Sequence, residues 1–504
     1  MKKLSAQKAE KKIALEKIPK KQIVKDVFVL VGNMVVIVGL FVLSIFLNGI
    51  GVNKTPQNFN DYFSTSTELF IYLSLTMLLI LFAYSVFLFY DNKEMLKKVS
   101  NFEMLLLIIE ISLICNYAAG KYVSIYFRPL ALSGLLTLLL ADRRTAVFTN
   151  ITVCILTFLM DVFTNASFQM VSEYAIYSSL IIGFTSGIFG IYLIDGVQAR
   201  LKVFSRGIIM IFPVVLCLVL LEQTNLITHP DRLISGVSSA ILSIVLFMSI
   251  LPLLEAMFNK ITSYKLAELA DHSAPLIRKM IEKAPGTFNH SIVVANIAEA
   301  CAVSINEDPL LARCCAYYHD MGKLKQPEMF KENQTDVKNV HDDLTPELST
   351  NIIRAHTKDG YELLRKNHLP EMLADVCLQH HGTMPILYFY AKAKKFTDGE
   401  IDIDQYSYTG PLPKTKIAAI IMIADSAEAA VRSCKERSRA TVDKVVEKII
   451  NERMILRQFD DCDITMKELN VIRNTIVNTL TGVYHSRIEY PKIDVERLKT
   501  EDMV

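Results

Sequence analysis

Tyr317-Tyr318-His319-Asp320-Met321-Gly322-Lys323 sets an imidazole and a carboxylate side by side on an otherwise apolar helix that begins near Pro309 and runs through Leu311, Ala312, Cys314 and Ala316. Neutral imidazole nitrogen and carboxylate oxygen are the ligands of hydrolytic zinc, manganese and iron centres, and a carboxylate can bridge two ions. One such pair is weak evidence; the other histidines give it meaning. The chain has ten, and His290, His319, His356, His380 and His381 fall in its carboxyl-terminal half, with His341 in a loop between them. Each alone has a plain explanation: His290 as a cap, His356 as the end of a turn, His380-His381 before Gly382 as a helix terminus stabilised through the dipole. Asp425 resists one, because a carboxylate within Ile421-Met422-Ile423-Ala424-Asp425-Ser426-Ala427 is costly unless paired or metal-bound. Five separate helical segments that offer such ligands are what two ions with shared coordination require.

Outward from this stretch, residues 283–504 read as a compact helical bundle. Apolar residues recur at spacings of three and four in Ile292-Val293-Ile297-Ala298, from Leu344 to Ile353, from Leu373 to Leu378 and from Ile417 to Ala430, and no run alternates as a strand would. Pro285-Gly286-Thr287 opens a new helix. Before it, Asn259 to Glu282 is polar, with Leu266, Leu269 and Leu276 among charges, and is expected to form a linker helix.

Residues 27–258 have another character. Apolar runs near 27–48, 68–90, 102–118, 123–141, 145–163, 174–195, 203–222 and 233–256 each approach the ~20 residues that a bilayer crossing needs. That gives eight expected spans. Arg128 and Pro129 interrupt the fourth, so that it reads as either a span or a re-entrant segment. With the amino terminus inside, inner loops carry Lys93, Lys97 and Lys98, then Arg143 and Arg144, then Arg200, Lys202 and Arg206. Outer loops carry only Lys54, Lys121 and Arg232, with Arg128 at a span edge, as the positive-inside rule demands. The lysine-rich tail, residues 1–26, then lies in the cytoplasm. Glu110 and Asp161 are the intramembrane carboxylates and are expected to serve helix packing or an interfacial role rather than a relay.

Composition agrees with two regions of different kind. A chain of 504 residues exceeds one core, and 51% hydrophobic beside 21% charged residues fits a membrane part joined to a soluble part. A net charge of +2 without a basic stripe argues against a DNA or RNA polymer as partner. Nine cysteines without a C-x-x-C, Cys314 and Cys315 among them, read as reduced buried thiols. Symmetric halves with broken helices, the mark of many transporters, are not evident.

The order His290, His319-Asp320, His356, His380-His381, Asp425 resembles the HD-domain metal-dependent phosphohydrolase superfamily in its two-metal form. Gly286-Thr287-Phe288-Asn289-His290-Ser291, the stretch 317–323, Glu332-Asn333-Gln334, His341-Asp342, Gln379-His380-His381-Gly382-Thr383, Ala424-Asp425-Ser426-Ala427-Glu428-Ala429 and Tyr484 to Pro491 resemble the PgpH-like, seven-transmembrane HD family of membrane-bound bacterial cyclic-di-AMP phosphodiesterases. The resemblance implies an all-α protein: a polytopic membrane domain, one span and then seven, followed by a cytoplasmic HD bundle at the inner membrane. It also implies two divalent transition ions, manganese or iron. Asp320 would bridge them, His290, His319 and Asp425 would complete one site, and His356, His380 and His381 the other. An activated water would attack phosphorus in line with the departing ribose oxygen, converting cyclic-di-AMP to pApA. Lys323 would hold a phosphate oxygen, and Asn333, His341, Thr383 and Arg432 would touch substrate. A large external domain usual after the family's first span has only about Asn48 to Glu68 in its place. The alternatives are a cyclic-di-GMP phosphodiesterase, although no Gly-Tyr-Pro follows His380-His381, and a receptor that binds a cyclic dinucleotide without cleaving it. The oligomeric state, a homo-oligomer included, is left open.

Overall fold

The computed structural model describes residues 20–50, 56–168, 173–197, 200–223, 225–334, 339–396 and 400–483. Most of the lysine-rich tail and the Tyr484–Pro491 motif lie outside them. The chain divides into two compact units, 1–264 and 265–504. Both are all-α among the described residues, where extended pairing is limited to one isolated bridge between Pro385 and Ser407.

The first unit contains α1 (Lys20–Ile50), α2 (Pro56–Asp91), α3 (Val99–Tyr122), α4 (Leu132–Leu140), α5 (Arg143–Phe168), α6 (Glu173–Ile194), the helical stretch α7 (Arg200–Glu222) and α8 (Asp231–Phe258). Seven of these are long and apolar enough to cross a membrane; α4 is not. Of the eight expected spans, the fourth, expected as either a span or a re-entrant segment, is the one without a single long helix. Its run divides into a 3-10 turn, Ile125–Phe127, an extended break at Arg128 and the nine-residue α4, which rises only about 14 Å. Proline supplies no backbone N–H and biases Arg128 towards extended geometry, so one helix cannot continue through the pair.

The chain nevertheless crosses the bundle at this point. Asn92, just before α3, donates to Thr145 at the start of α5 at 3.1 Å, and Asn116 near the end of α3 donates to Thr157 of α5 at 3.2 Å. The two helices are therefore parallel, and residues 123–142 must return from one face to the other. The Tyr117 hydroxyl donates to the Ser44 carbonyl at 3.1 Å, which aligns α1 with them. The break also carries Arg128 into the interior, where its Nη2 donates to Asp161 at 2.7 Å and only 6% of the residue is exposed. Gly120 makes the room: a Cβ there would collide with the Arg128 guanidinium. Arg128 is thus not a loop charge, and Asp161 has a partner that residues 33 positions apart did not advertise.

The second unit contains α9 (Pro275–Lys283), α10 (Pro285–Ser304), α11 (Pro309–Tyr318), α12 (Pro346–Lys366), α13 (Glu371–Gln379), α14 (Leu387–Lys394), α15 (Lys416–Ser433), α16 (Arg439–Ile455) and α17 (Met466–Val483). The expected single linker helix is instead two, Ser263–Leu269 and α9, parted by a turn in which Asp271 accepts from the Ser273 N–H at 2.7 Å. Leu276, Ile277 and Met280 of α9 are buried, and the Tyr318 hydroxyl donates to the Leu269 carbonyl at 2.9 Å. Most of this stretch therefore belongs to the second unit's packing. At the bundle's centre α10 packs on α11, α15 and α17. Asp308 caps α11 by accepting from the N–H groups of Leu310 and Leu311, and a face rich in small residues, Ala312, Cys314, Cys315 and Ala316, buries it completely. Its carboxyl end, and with it His319-Asp320, is thereby fixed in the core.

Candidate metal centre

Helix termini and helix interiors each supply part of the site. His290 lies on the second turn of α10, His319 caps α11, Asp320 follows it, His356 lies within α12, His380 caps α13 with His381 beside it, and Asp425 lies mid-way along α15. Two glycines permit the approach. A Cβ at Gly322 would stand 1.8 Å from the His356 carbonyl oxygen, and one at Gly286 would stand 1.8 Å from that of Glu332. Gly382, with φ of +52°, turns the chain after the histidine pair.

The side chains converge. One group unites potential ligand atoms of His290, His319, Asp320 and Asp425, and another those of His356, His380 and His381, each within 4.8 Å. Asp320 stands between them: its Oδ2 is 3.3 Å from His319 Nε2, and its Oδ1 is 3.4 Å from His356 Nε2 and 3.7 Å from His380 Nε2. Asp425 Oδ1 is 2.9 Å from His290 Nε2, and its Oδ2 is 3.8 Å from His381 Nδ1.

The opposite ring nitrogens are already committed. Nδ1 of His319, His356 and His380 donates to the carbonyls of Ala316, Ile353 and Cys377, each three residues earlier, and His290 Nδ1 donates to Glu428 at 2.6 Å. A carbonyl or carboxylate oxygen only accepts, so Nδ1 carries a proton and each Nε2 is the atom turned towards the centre. His319 Nε2 and Asp320 Oδ1 are buried without a hydrogen-bond partner, and Asp320 Oδ2 is met by the Lys323 ammonium at 2.8 Å; orphaned buried polar atoms of this kind cost free energy unless another group satisfies them. Nitrogen and oxygen donors so directed fit a divalent transition ion.

Charge is strongly sorted in this space. Burial opposes ionisation of Asp320, yet the Lys323 ammonium and the His319 ring outweigh it and hold the carboxyl well below the usual carboxylate range. Asp425 is also held well below that range, its burial outweighed by the bond from His290 and the nearby His319 ring. Burial alone would lower His319, but Asp320 and then Asp425 raise it to about 10. At His380 burial and then His319 outweigh Asp320 and Asp425 and push it down to about 3.

Of the residues expected to touch substrate, Lys323 lies in the site, its Nζ 2.8 Å from both Asp320 and Glu332. Asn333 is engaged within the chain, accepting from the Thr287 N–H at 3.1 Å and donating to its hydroxyl at 2.9 Å. Thr383 donates its N–H to Gln458 and accepts from the Gln458 amide. His341 Nε2 donates to the Met329 carbonyl at 2.8 Å, and its ring packs 5.3 Å from that of Phe389. Arg432 reaches Glu428 at 3.6 Å. Two neighbours escaped the reading of the sequence. Tyr408 stacks on His381 at 4.2 Å, held by its N–H bond to the Met384 carbonyl, and no motif signals it because it lies in an irregular segment. Glu428 orients His290; a second carboxylate three residues after Asp425 was the available signal.

Comparison with known proteins agrees with this geometry. Residues 287–430 match the HD domain family, and residues 66–262 match the family described as "7TM receptor with intracellular HD hydrolase". The cyclic-di-AMP phosphodiesterase PgpH of Bacillus subtilis (strain 168) is 38% identical over 393 residues, 77% of this chain and 54% of that protein. The protein of the same name from Listeria monocytogenes serotype 1/2a (strain 10403S) is 45% identical over 293 residues, 57% of this chain and 40% of the other. The chain thus spans about half the length of these relatives. A crystal structure of the L. monocytogenes PgpH HD domain in complex with cyclic-di-AMP shares 50% identity, covers 43% of this chain and all of that one, and superposes with a TM-score of 0.41. An apolar helical unit of the seven-transmembrane type, joined to an HD domain, places this chain in the seven-transmembrane HD hydrolase family.

Proposed function

We propose that the chain is a membrane-bound, metal-dependent phosphodiesterase that hydrolyses cyclic-di-AMP to linear pApA. The observation that carries the reading is the convergence of five imidazoles and two carboxylates on one buried point, with Nε2 and both Asp320 oxygens directed inwards. His290, His319, Asp320 and Asp425 would hold one divalent ion, and His356, His380 and His381, with Asp320 shared, a second. When bound, such ions supply Lewis acidity that ionises water near neutral pH and offsets phosphodiester charge. The remaining groups position. Glu428 and the three helix carbonyls fix the rings, Lys323 balances the charge of Asp320 and Glu332 at the mouth, and Asn333 and Thr383 hold the loops on either side. Tyr408 offers an aromatic face beside His381. The adenine dinucleotide is chosen because both PgpH relatives carry that activity in their names.

The proposed topology puts both termini in the cytoplasm. Support comes from the lysines just before α3 and the arginines and lysine in the first turns of α5 and α7, which gather on the face where α1 begins and α8 ends. The test is hydrolysis of cyclic-di-AMP beside cyclic-di-GMP by the purified full chain, with manganese and then with chelator, products resolved by chromatography. Chelator-sensitive formation of pApA is expected. Tight binding by folded, metal-loaded protein without turnover would make it a receptor, and preferred cleavage of cyclic-di-GMP would overturn the substrate.

A further inference from the structure

A cavity of about 370 Å³ opens at the end of the membrane unit where α3 begins and α8 finishes. Lys97, Lys98, Ser100 and Asn101 line one side and Phe258 to Lys260 the other. No carboxylate among the described residues lines it. The backbone builds the recess: Lys98 is extended between two helices, and Asn259 adopts a left-handed conformation, φ +48°, as α8 ends. Lys260 is half-buried there, and burial, followed by repulsion from Lys98, holds its amine below the ordinary value. The Lys98 and Lys260 ammonium groups repel each other across the recess, and an anion seated between them would offset that repulsion. The cavity lies at the depth where apolar helix gives way to charged loop, and Leu253 and Met257, 69% and 62% exposed, face outwards on the last turns of α8.

We infer that this cavity is a headgroup site for an anionic phospholipid, its phosphodiester lying between Lys98 and Lys260 and its acyl chains against Leu253 and Met257. Basic pockets between membrane helices at the headgroup level bind anionic lipids by this chemistry. A free phosphate would satisfy the lysines equally, but only a lipid also covers the exposed apolar side chains of Leu253 and Met257 on the last turns of α8. The site is separate from the metal centre and does not depend on catalysis.

The test is native mass spectrometry of the full chain in detergent, offered dioctanoyl phosphatidylglycerol or dioctanoyl phosphatidylcholine. The wild type is expected to retain phosphatidylglycerol preferentially, and the preference is expected to fall about thirtyfold in Lys98→Gln/Lys260→Gln. Lys98→Arg/Lys260→Arg, which keeps both charges, should retain it. Lys202→Gln, an exposed lysine outside the cavity, should leave it unchanged. Equal retention of the two lipids by the wild type, or an equal loss in Lys202→Gln, would overturn the site. Displacement of the glycerol lipid by inorganic phosphate at equal concentration would overturn the lipid and assign a soluble anion.

Discussion

Asp320 is the residue on which the centre turns, because both of its oxygens are buried and approached by imidazoles from three helices, with the Lys323 ammonium beside Oδ2. Asp320→Ala is expected to abolish divalent-ion binding and turnover together, read by metal analysis of the purified protein and by pApA formation. Metal-dependent hydrolysis that survives in this variant would sink the proposed mechanism. Glu428 acts at one remove. Its carboxylate fixes the His290 tautomer, and loss of such an outer partner typically lowers metal affinity or activity by roughly 10–100-fold. Glu428→Gln is expected to lose roughly tenfold in metal affinity, the lower end, because an amide oxygen still accepts from Nδ1; an unchanged metal titration would remove that role. At this scale the sequence was legible wherever ligand-type side chains stood out against apolar helix, as at His319-Asp320 and Asp425. It was opaque where contact depends on irregular backbone, which is how Tyr408 reaches His381.

Between elements, the close approach of the His319-Asp320 turn to α12 rests on a hydrogen atom at Gly322. Because a Cβ there would meet backbone, at 1.8 Å from the His356 oxygen, the helices would have to part. Gly322→Ala is expected to lower stability by about 3 kcal/mol, the upper end for overpacking, and chemical denaturation of the purified chain would measure it. The amino end of α17 offers a second test. Thr465 accepts from the Glu468 N–H at 3.2 Å, and Glu468 accepts from the Thr465 N–H at 2.8 Å, a capping box further tied to Lys416 of α15 at 2.6 Å. Thr465→Ala should cost ~1 kcal/mol. Burial would raise the Glu468 carboxyl, but the bonds from Lys416 and Thr465 outweigh it and hold it below its ordinary value. A carboxyl depressed by folding stabilises the fold above its unfolded pKa of about 4.3 and loses that effect as pH falls through the lower folded value. The stability gap between wild type and Glu468→Gln should therefore close on acidification below pH of about 4, and a gap constant across that range would refute it. Helix boundaries marked by proline were readable here, at α10 and α11; the break before α9 was not, because Asp271-His272-Ser273 carries a turn signal too brief to stand out among polar residues.

Across the membrane unit, the sequence announced an interruption at Arg128-Pro129 without revealing what it accomplishes. Parallel α3 and α5 require the chain to cross between them, and the crossing is made by a short helix and an extended break that leave an arginine inside the bundle. That arginine is tolerated because Asp161 of α5 meets it. Pairing across 33 residues depends on how helices pack, which periodicity within any one helix does not encode. Removing one member of a buried pair leaves the other charge unsatisfied and typically costs about 3–5 kcal/mol, whereas replacing both with apolar residues of similar volume is often neutral. Asp161→Leu and Arg128→Met are each expected to lower the unfolding temperature of the detergent-solubilised chain substantially. The double variant should recover most of that loss, because the stranded charge is gone and the space remains filled. Additive losses in the double variant would mean that the pair's hydrogen bonds, rather than neutralisation of a buried charge, hold the broken crossing in place.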